Sequence, residues 1–131
     1  MGAAENLDLV RRAYAAFGAG DMDTLVTLFK PDIVHGVPGK SRIAGDHKGT
    51  DEVLAMYGNL FALSDGSVSV TLDDVLSDGG DRVIAIHHAK ATRNGATRES
   101  QDALLFTIED DKIASIQDFF ADIEGESAFW S

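Results

Sequence analysis

Asn94-Gly95, set between two alternating runs, constrains the fold of this 131-residue chain more than any other feature. Asn-Gly in that setting predicts a two-residue type I′ turn joining antiparallel strands. The strands are expected over 82–92 and 97–108. In such a turn Arg93 pairs with Ala96, and counting back places His87 opposite Asp102. Directly opposite side chains share a face, with Cβ atoms about 5 Å apart. The same count puts Val83, Ala85, Ala89 and Ala91 on that face, opposite Phe106, Leu104, Ser100 and Arg98. The other face pairs Lys90 with Glu99, His88 with Gln101 and Thr92 with Thr97, with an ion pair expected at Lys90–Glu99. Further from the turn it carries Ile84, Ile86, Ala103 and Leu105, an apolar patch suited to a dimer interface. The His87–Asp102 face is therefore the one that helices should cover, and its alanines leave room beside a His and an Asp.

The preceding residues supply those helices. Leu7, Val10, Tyr14 and Phe17 recur at helical spacing over 5–19, ended by Gly18 and Gly20. Asp21 can cap a short second helix, with Leu25, Val26, Leu28 and Phe29 apolar and Pro31 stopping it. Residues 32–37 suit a short strand and 38–49 a loop. Thr50 is expected to cap a third helix whose stripe is Val53, Met56, Tyr57, Leu60 and Phe61. After Asp65-Gly66 the period changes to alternation, with Val68, Val70 and Leu72 marking a strand. Helices followed by a meander read as α+β, three helices on a curved, mainly antiparallel sheet, in one domain spanning 1–131. The tail should form one last helical turn, with Phe129 and Trp130 packed over the cup or at a dimer seam.

If Glu109-Asp110-Asp111 is a three-residue loop, Asp118 lies opposite Asp102, and Ile116 and Phe120 join the inner face. His87, Asp102 and Asp118 would then cross three neighbouring strands inside an apolar cup. Burial and mutual repulsion are how one such site obtains both an acid and a base near neutral pH. A lone His–Asp pair could be a structural hydrogen bond, but an apolar cup gains nothing from a second carboxylate. His35, beside Gly36 and near Pro38, reads more simply as a surface residue at a strand end. Tyr14 and Tyr57 read as core.

Composition excludes several functions. A net charge of −11 opposes nucleic acid and anionic membrane surfaces. No apolar run approaches the ~20 residues of a spanning helix. The absence of cysteine suits a reducing cytoplasm and rules out thiolate metal sites. His35, His87 and Asp118 could form a facial set, but no close-spaced His pair supports a metal, and none is expected. No phosphate loop, nucleotide fingerprint or serine elbow is present, so no cofactor is expected.

The segments AAFGAGDMDTLVTLF, GDHKGTDEVL and DKIASIQDFFAD give the chain a resemblance to the nuclear transport factor 2-like superfamily. Within it the chain resembles the SnoaL-like polyketide cyclase and ketosteroid isomerase-related group. The resemblance implies a cone: a curved sheet around a pocket, closed by helices, paired through its outer face. SnoaL-like cyclases use an acid–base Asp on the terminal strand with a His nearby, which implies Asp118 with His87. In limonene epoxide hydrolase the catalytic Asp of an RDYFD-like segment matches Asp118, with Gln117 in place of Arg. The partner Asp and Arg fall at His87 and Ala85, and the upstream Tyr and Asn at His35 and Val37, so most of that set is absent. The ketosteroid isomerase Tyr and base fall at Ala13 and Val37, leaving only Asp102 as a counterpart.

The resulting expectation is a cofactor-independent acid–base enzyme acting on a small apolar carbonyl-type compound. Asp118 is expected as general acid/base, relayed by His87, with Asp102 orienting His87 or serving as a donor. Substrate is expected to meet His35, Tyr14, Phe17, Val37, Tyr57, Phe61, Ala85, Ala89, Leu104, Phe106, Ile116 and Phe120. The alternatives are a ligand-binding module without turnover, a dimerisation module, and a limonene-type epoxide hydrolase.

Overall fold

A computed structural model describes residues 2–131. The elements run α1 (Ala3–Gly18), α2 (Met22–Thr27), β1 (Phe29–Val37), β2 (Gly45–Lys48), α3 (Gly49–Leu63), β3 (Ser69–Ser77), β4 (Arg82–Arg93), β5 (Ala96–Glu109), β6 (Lys112–Phe119) and α4 (Ile123–Phe129). The six strands form one curled sheet in the order β2-β1-β6-β5-β4-β3. All neighbours are antiparallel except β1 and β6, which run parallel.

The β4–β5 hairpin forms in the expected register, from Arg93 opposite Ala96 through His87 opposite Asp102 to Val83 opposite Phe106. Asn94 and Gly95 have φ of 52° and 81°, the left-handed values a type I′ turn needs at both positions. On the outer face Thr92 and Thr97 hydrogen-bond through their hydroxyls. Lys90 and Glu99 stand opposite, but the expected ion pair is not formed among the described residues.

The β5–β6 hairpin differs from expectation. Asp110 and Asp111 are both left-handed, with φ of 51° and 65°, so the turn has two residues and Glu109 pairs with Lys112. The register then shifts by one between Thr107 and Ile108, where Ala114 is the extra residue. A bulge turns every later side chain to the opposite face. The short turn and the bulge offset each other, so Asp118 still faces inward. It lies opposite Leu104, not Asp102.

Two other local expectations give way. β1 begins at Phe29, ahead of Pro31, and bulges before Val34; residues 45–48 form an edge strand on β1. Thr50 does not cap α3. Gly49, with φ of 84°, starts the helix, and Glu52 accepts the N–H of Lys48 at 2.9 Å. Asp21 does cap α2, accepting from the Thr24 N–H at 3.1 Å.

The core lies between the concave sheet face and α1 and α3. Leu9 and Val10 from α1, Val53 from α3, and Ile33, Val83 and Ile113 from the sheet are at most 1% exposed. Each such burial is worth about 1.5–3 kcal/mol. Asn6 ties the start of α1 to the β3–β4 turn, donating to the Gly80 carbonyl at 3.0 Å.

Candidate active site

β1, β6, β5 and β4 are consecutive in the sheet, and each sends a polar side chain into the concave face. On β1, Ile33, His35 and Val37 alternate inward, and all three are buried. His35 pairs with Ile116 across the parallel ladder, which sets it close to Asp118. On β5 and β4, Asp102 and His87 lie opposite each other. α1 and α3 close the other side with Tyr14 and Tyr57. A cavity of about 140 Å³ remains between them. It is lined chiefly by apolar side chains, and Tyr14, His35, Tyr57, His87, Asp102, Asp118 and Glu126 are its polar lining.

These polar groups form three separate hydrogen-bonded sets. In the first, His35 Nε2 is 2.9 Å from Asp118 Oδ1 and His35 Nδ1 is 2.8 Å from the Tyr57 hydroxyl. A carboxylate only accepts, so His35 carries its proton on Nε2 and its Nδ1 accepts from Tyr57. Donation therefore runs from Tyr57 through His35 to Asp118. In the second set the Tyr14 hydroxyl is 2.7 Å from His87 Nδ1. A buried hydroxyl hydrogen needs an acceptor, and His87 Nδ1 is the partner Tyr14 has. Tyr14 therefore donates, and His87 presents an Nε2–H.

Two atoms are left over. His87 Nε2 and the second oxygen of Asp118 make no hydrogen bond to protein among the described residues, and both side chains border the cavity. A donor and an acceptor thus face one small apolar space. Burial holds His87 below the usual 6.5, against the opposing pull of Asp118, Asp102 and Asp73, so its ring is neutral at pH 7. Burial, reinforced by the Asp118 charge, pushes both tyrosine hydroxyls well above their ordinary value. They remain donors across the physiological range.

Asp102 has a different role from the expected one. It does not bind His87, whose Nδ1 is taken by Tyr14. Instead Asp102 accepts from Ser100 Oγ at 2.8 Å and from the Ala121 N–H at 3.3 Å. Ser100 also reaches Glu126, which accepts from Arg98 Nε at 2.9 Å and Trp130 Nε1 at 3.1 Å. This third set fastens α4 to β5, and Trp130, only 5% exposed, closes that end of the cavity.

Asp118, His87, Asp102, His35, Tyr14, Phe17, Val37, Tyr57, Ala89, Leu104, Phe106, Ile116 and Phe120 all border the cavity. Phe61 and Ala85 do not. Phe61 sits a turn beyond Tyr57 and packs on Phe17, with ring centroids 5.4 Å apart. Ala85 is fully buried in the core beside Leu104, its partner across the β4–β5 ladder. His35 is not a surface residue: it is 4% exposed and joins the site more tightly than His87 does. Its signal was its place in the Ile33-His35-Val37 alternation, an apolar-period position. The residues expected at the cavity did not include Met56, Leu60, Val68 or Glu126, which also line it. Among the described residues, no group of three or more His, Asp or Glu side chains is placed to hold a metal ion.

The description "SnoaL-like domain" fits residues 10–116 by its family model. An uncharacterised protein of Mycobacterium tuberculosis is 40% identical over 126 residues, 96% of each chain. Bal32a, from a soil-derived mobile gene cassette, superposes with a TM-score of 0.94 at 38% identity over 98% of both chains. A Xanthomonas campestris protein of unknown function with a cystatin-like fold does so with a TM-score of 0.90 at 31% identity, over 96% of this chain and 98% of that one. The chain belongs to the SnoaL-like family and has the fold of nuclear transport factor 2-like proteins.

Proposed function

We propose that the protein is a cofactor-independent acid–base enzyme acting on a small, largely apolar carbonyl compound. The observation that carries this reading is the pairing of the free Asp118 oxygen with the free His87 Nε2–H across one apolar cavity. Asp118 takes a proton from the carbon beside the carbonyl. The electron pair of that C–H bond forms the enol double bond, and the carbonyl oxygen, gaining charge, receives the His87 hydrogen bond. Asp118 then returns the proton to carbon. This enolisation is the step common to isomerisation, aldol-type closure and elimination. Donors aimed at a developing oxyanion in a water-poor site are among the strongest catalytic contributions. His35 and Tyr57 are positioning residues in this scheme: they fix the Asp118 carboxylate so that one oxygen faces the substrate.

Two proteins alike in fold alone carry ligands. TerC, 19% identical with a TM-score of 0.83, was co-crystallised with polyporic acid. A Mycobacterium tuberculosis protein, 20% identical with a TM-score of 0.77, was crystallised with estradiol-17β-hemisuccinate. They support a ligand in the cavity and leave the reaction to the site's own groups. The outer face adds a second copy of the chain as a proposed partner, since Leu76, Ile84 and Phe119 stand 50%, 41% and 53% exposed there.

The test is exchange of the α-hydrogens of cyclohexanone for deuterium in D₂O, followed by NMR. The wild-type protein should accelerate exchange well above buffer, and Asp118→Asn should return it to background. Background exchange with the wild type, while cyclohexanone is bound, would favour binding without turnover.

A further inference from the structure

We propose that the cavity takes one neutral, single-ring oxygen compound, a cyclic ketone or a phenol, and turns away fused-ring and anionic relatives. This rests on the acid–base reading for the role of the site, but not for its size or charge.

Size decides the number of rings. The cavity measures about 140 Å³. An apolar cavity of about 150 Å³ accepts one benzene molecule. One six-membered ring with an exocyclic oxygen therefore fills the space, and a second fused ring must displace wall or stand unburied in the open mouth. The walls resist this, because aromatic side chains brace one another around the cavity. Phe17 stands edge-on to Tyr57 at 5.4 Å, and Tyr14 is edge-on to His87 at 5.6 Å. Both tyrosines are further fixed by their hydrogen bonds to the histidines. The compliant part of the wall is Met56, an unbranched side chain 3% exposed on α3.

Charge decides against anions. Asp118, Asp102 and Glu126 all border the cavity, and among the described residues no Lys or Arg does. Arg98, four residues before Asp102 on β5, is already held by Glu126 and Asp122. The histidine that faces the ligand is neutral, so nothing offsets a ligand carboxylate or phosphate. The two free atoms then select the oxygen. A phenol donates to Asp118 and accepts from His87 Nε2–H, and a ketone accepts from His87 while its α-hydrogen faces Asp118.

The experiment is an NMR titration of the full chain with phenol, cyclohexanone, 2-naphthol, estradiol and benzoate. Larger apolar area alone favours 2-naphthol and estradiol. The expected order is the reverse: phenol and cyclohexanone bind and shift His87, the fused-ring compounds bind at least about tenfold more weakly, and benzoate does not bind. Met56→Ala should raise 2-naphthol affinity relative to phenol. Leu60→Ala, at a half-buried lining position, serves the same purpose if Met56→Ala fails to fold. Fused-ring compounds or benzoate binding as tightly as phenol, no binding of phenol, or no gain of 2-naphthol in either variant would overturn the proposal. The two readings fail separately. Loss of cyclohexanone exchange with the size order intact removes the acid–base reading alone, and an inverted size order with exchange intact removes this one alone.

Discussion

The two histidines of the cavity look alike in composition and differ in what they have left to offer. Each is buried, and each binds a tyrosine through Nδ1. His35 spends its other nitrogen on Asp118, whereas His87 keeps Nε2 for the cavity. A fully committed imidazole holds a neighbour in place, and a half-committed one meets a ligand. The difference arises from the sheet. β1 runs beside β6, which brings Asp118 to His35, while β4 runs beside β5, where Asp102 is already held by Ser100 and Ala121.

The largest effect is expected at Asp118, which His35 holds through one oxygen and whose other oxygen borders the cavity with His87. Asp118→Asn should lower cyclohexanone exchange by about 10²–10⁴-fold, the span for removing a general base. Unchanged exchange in a folded variant would remove Asp118 from the chemistry. His87→Ala comes next. Loss of an oxyanion donor costs about 10²–10³ in rate, and the loss should appear in kcat more than in KM. A purely structural His87 would instead give a less stable protein with normal turnover.

Changes at the committed pair should act mainly on stability. His35→Ala strands the Tyr57 hydroxyl and one Asp118 oxygen, at about 1–3 kcal/mol for each buried group left unpaired. Urea denaturation reads this directly, and a variant as stable as wild type would break the contrast between the histidines. Tyr57→Phe and Tyr14→Phe should each cost about 0.5–1.5 kcal/mol. Tyr14→Phe should also alter the His87 tautomer, which ring-nitrogen NMR detects and which Tyr57→Phe should leave alone.

The smallest effect is the pH dependence. The pKa of His87 is lower in the folded protein than its unfolded value of 6.5, chiefly through burial. The unfolded chain therefore binds more protons between the two values, so stability is lost as pH falls below about 6.5. His87→Gln should flatten that part of the stability curve. A wild-type curve with no slope there would contradict a neutral, buried His87.

How much of this was legible depends on the range of the contact. The β4–β5 register followed from two residues, because Asn94-Gly95 admits one turn and the alternation on both sides agrees with it. The β5–β6 register did not, because Asp110 and Asp111 adopt left-handed values that their types permit without demanding. The bulge at Ala114 leaves no local mark. Asp118 faces inward because two departures from the expected geometry cancel. The His35–Asp118 contact was out of reach for hairpin counting, since parallel strands pair across most of the chain. Tyr14 and Tyr57 sat correctly on their apolar stripes, but a stripe shows which way a ring points and not what its hydroxyl meets. The tail was legible only as a cover: Trp130 was placed, and the Glu126 contacts that hold it were not.

The division of labour between the two imidazoles is best tested by their ring nitrogens. In ¹⁵N-labelled protein at pH 7, His87 should appear neutral, with Nδ1 accepting and Nε2 protonated. Adding phenol should move His87 Nε2 most and leave His35 with its proton on Nε2. A His87 that stays silent while His35 changes tautomer, or a His87 that is charged at pH 7, would contradict the account.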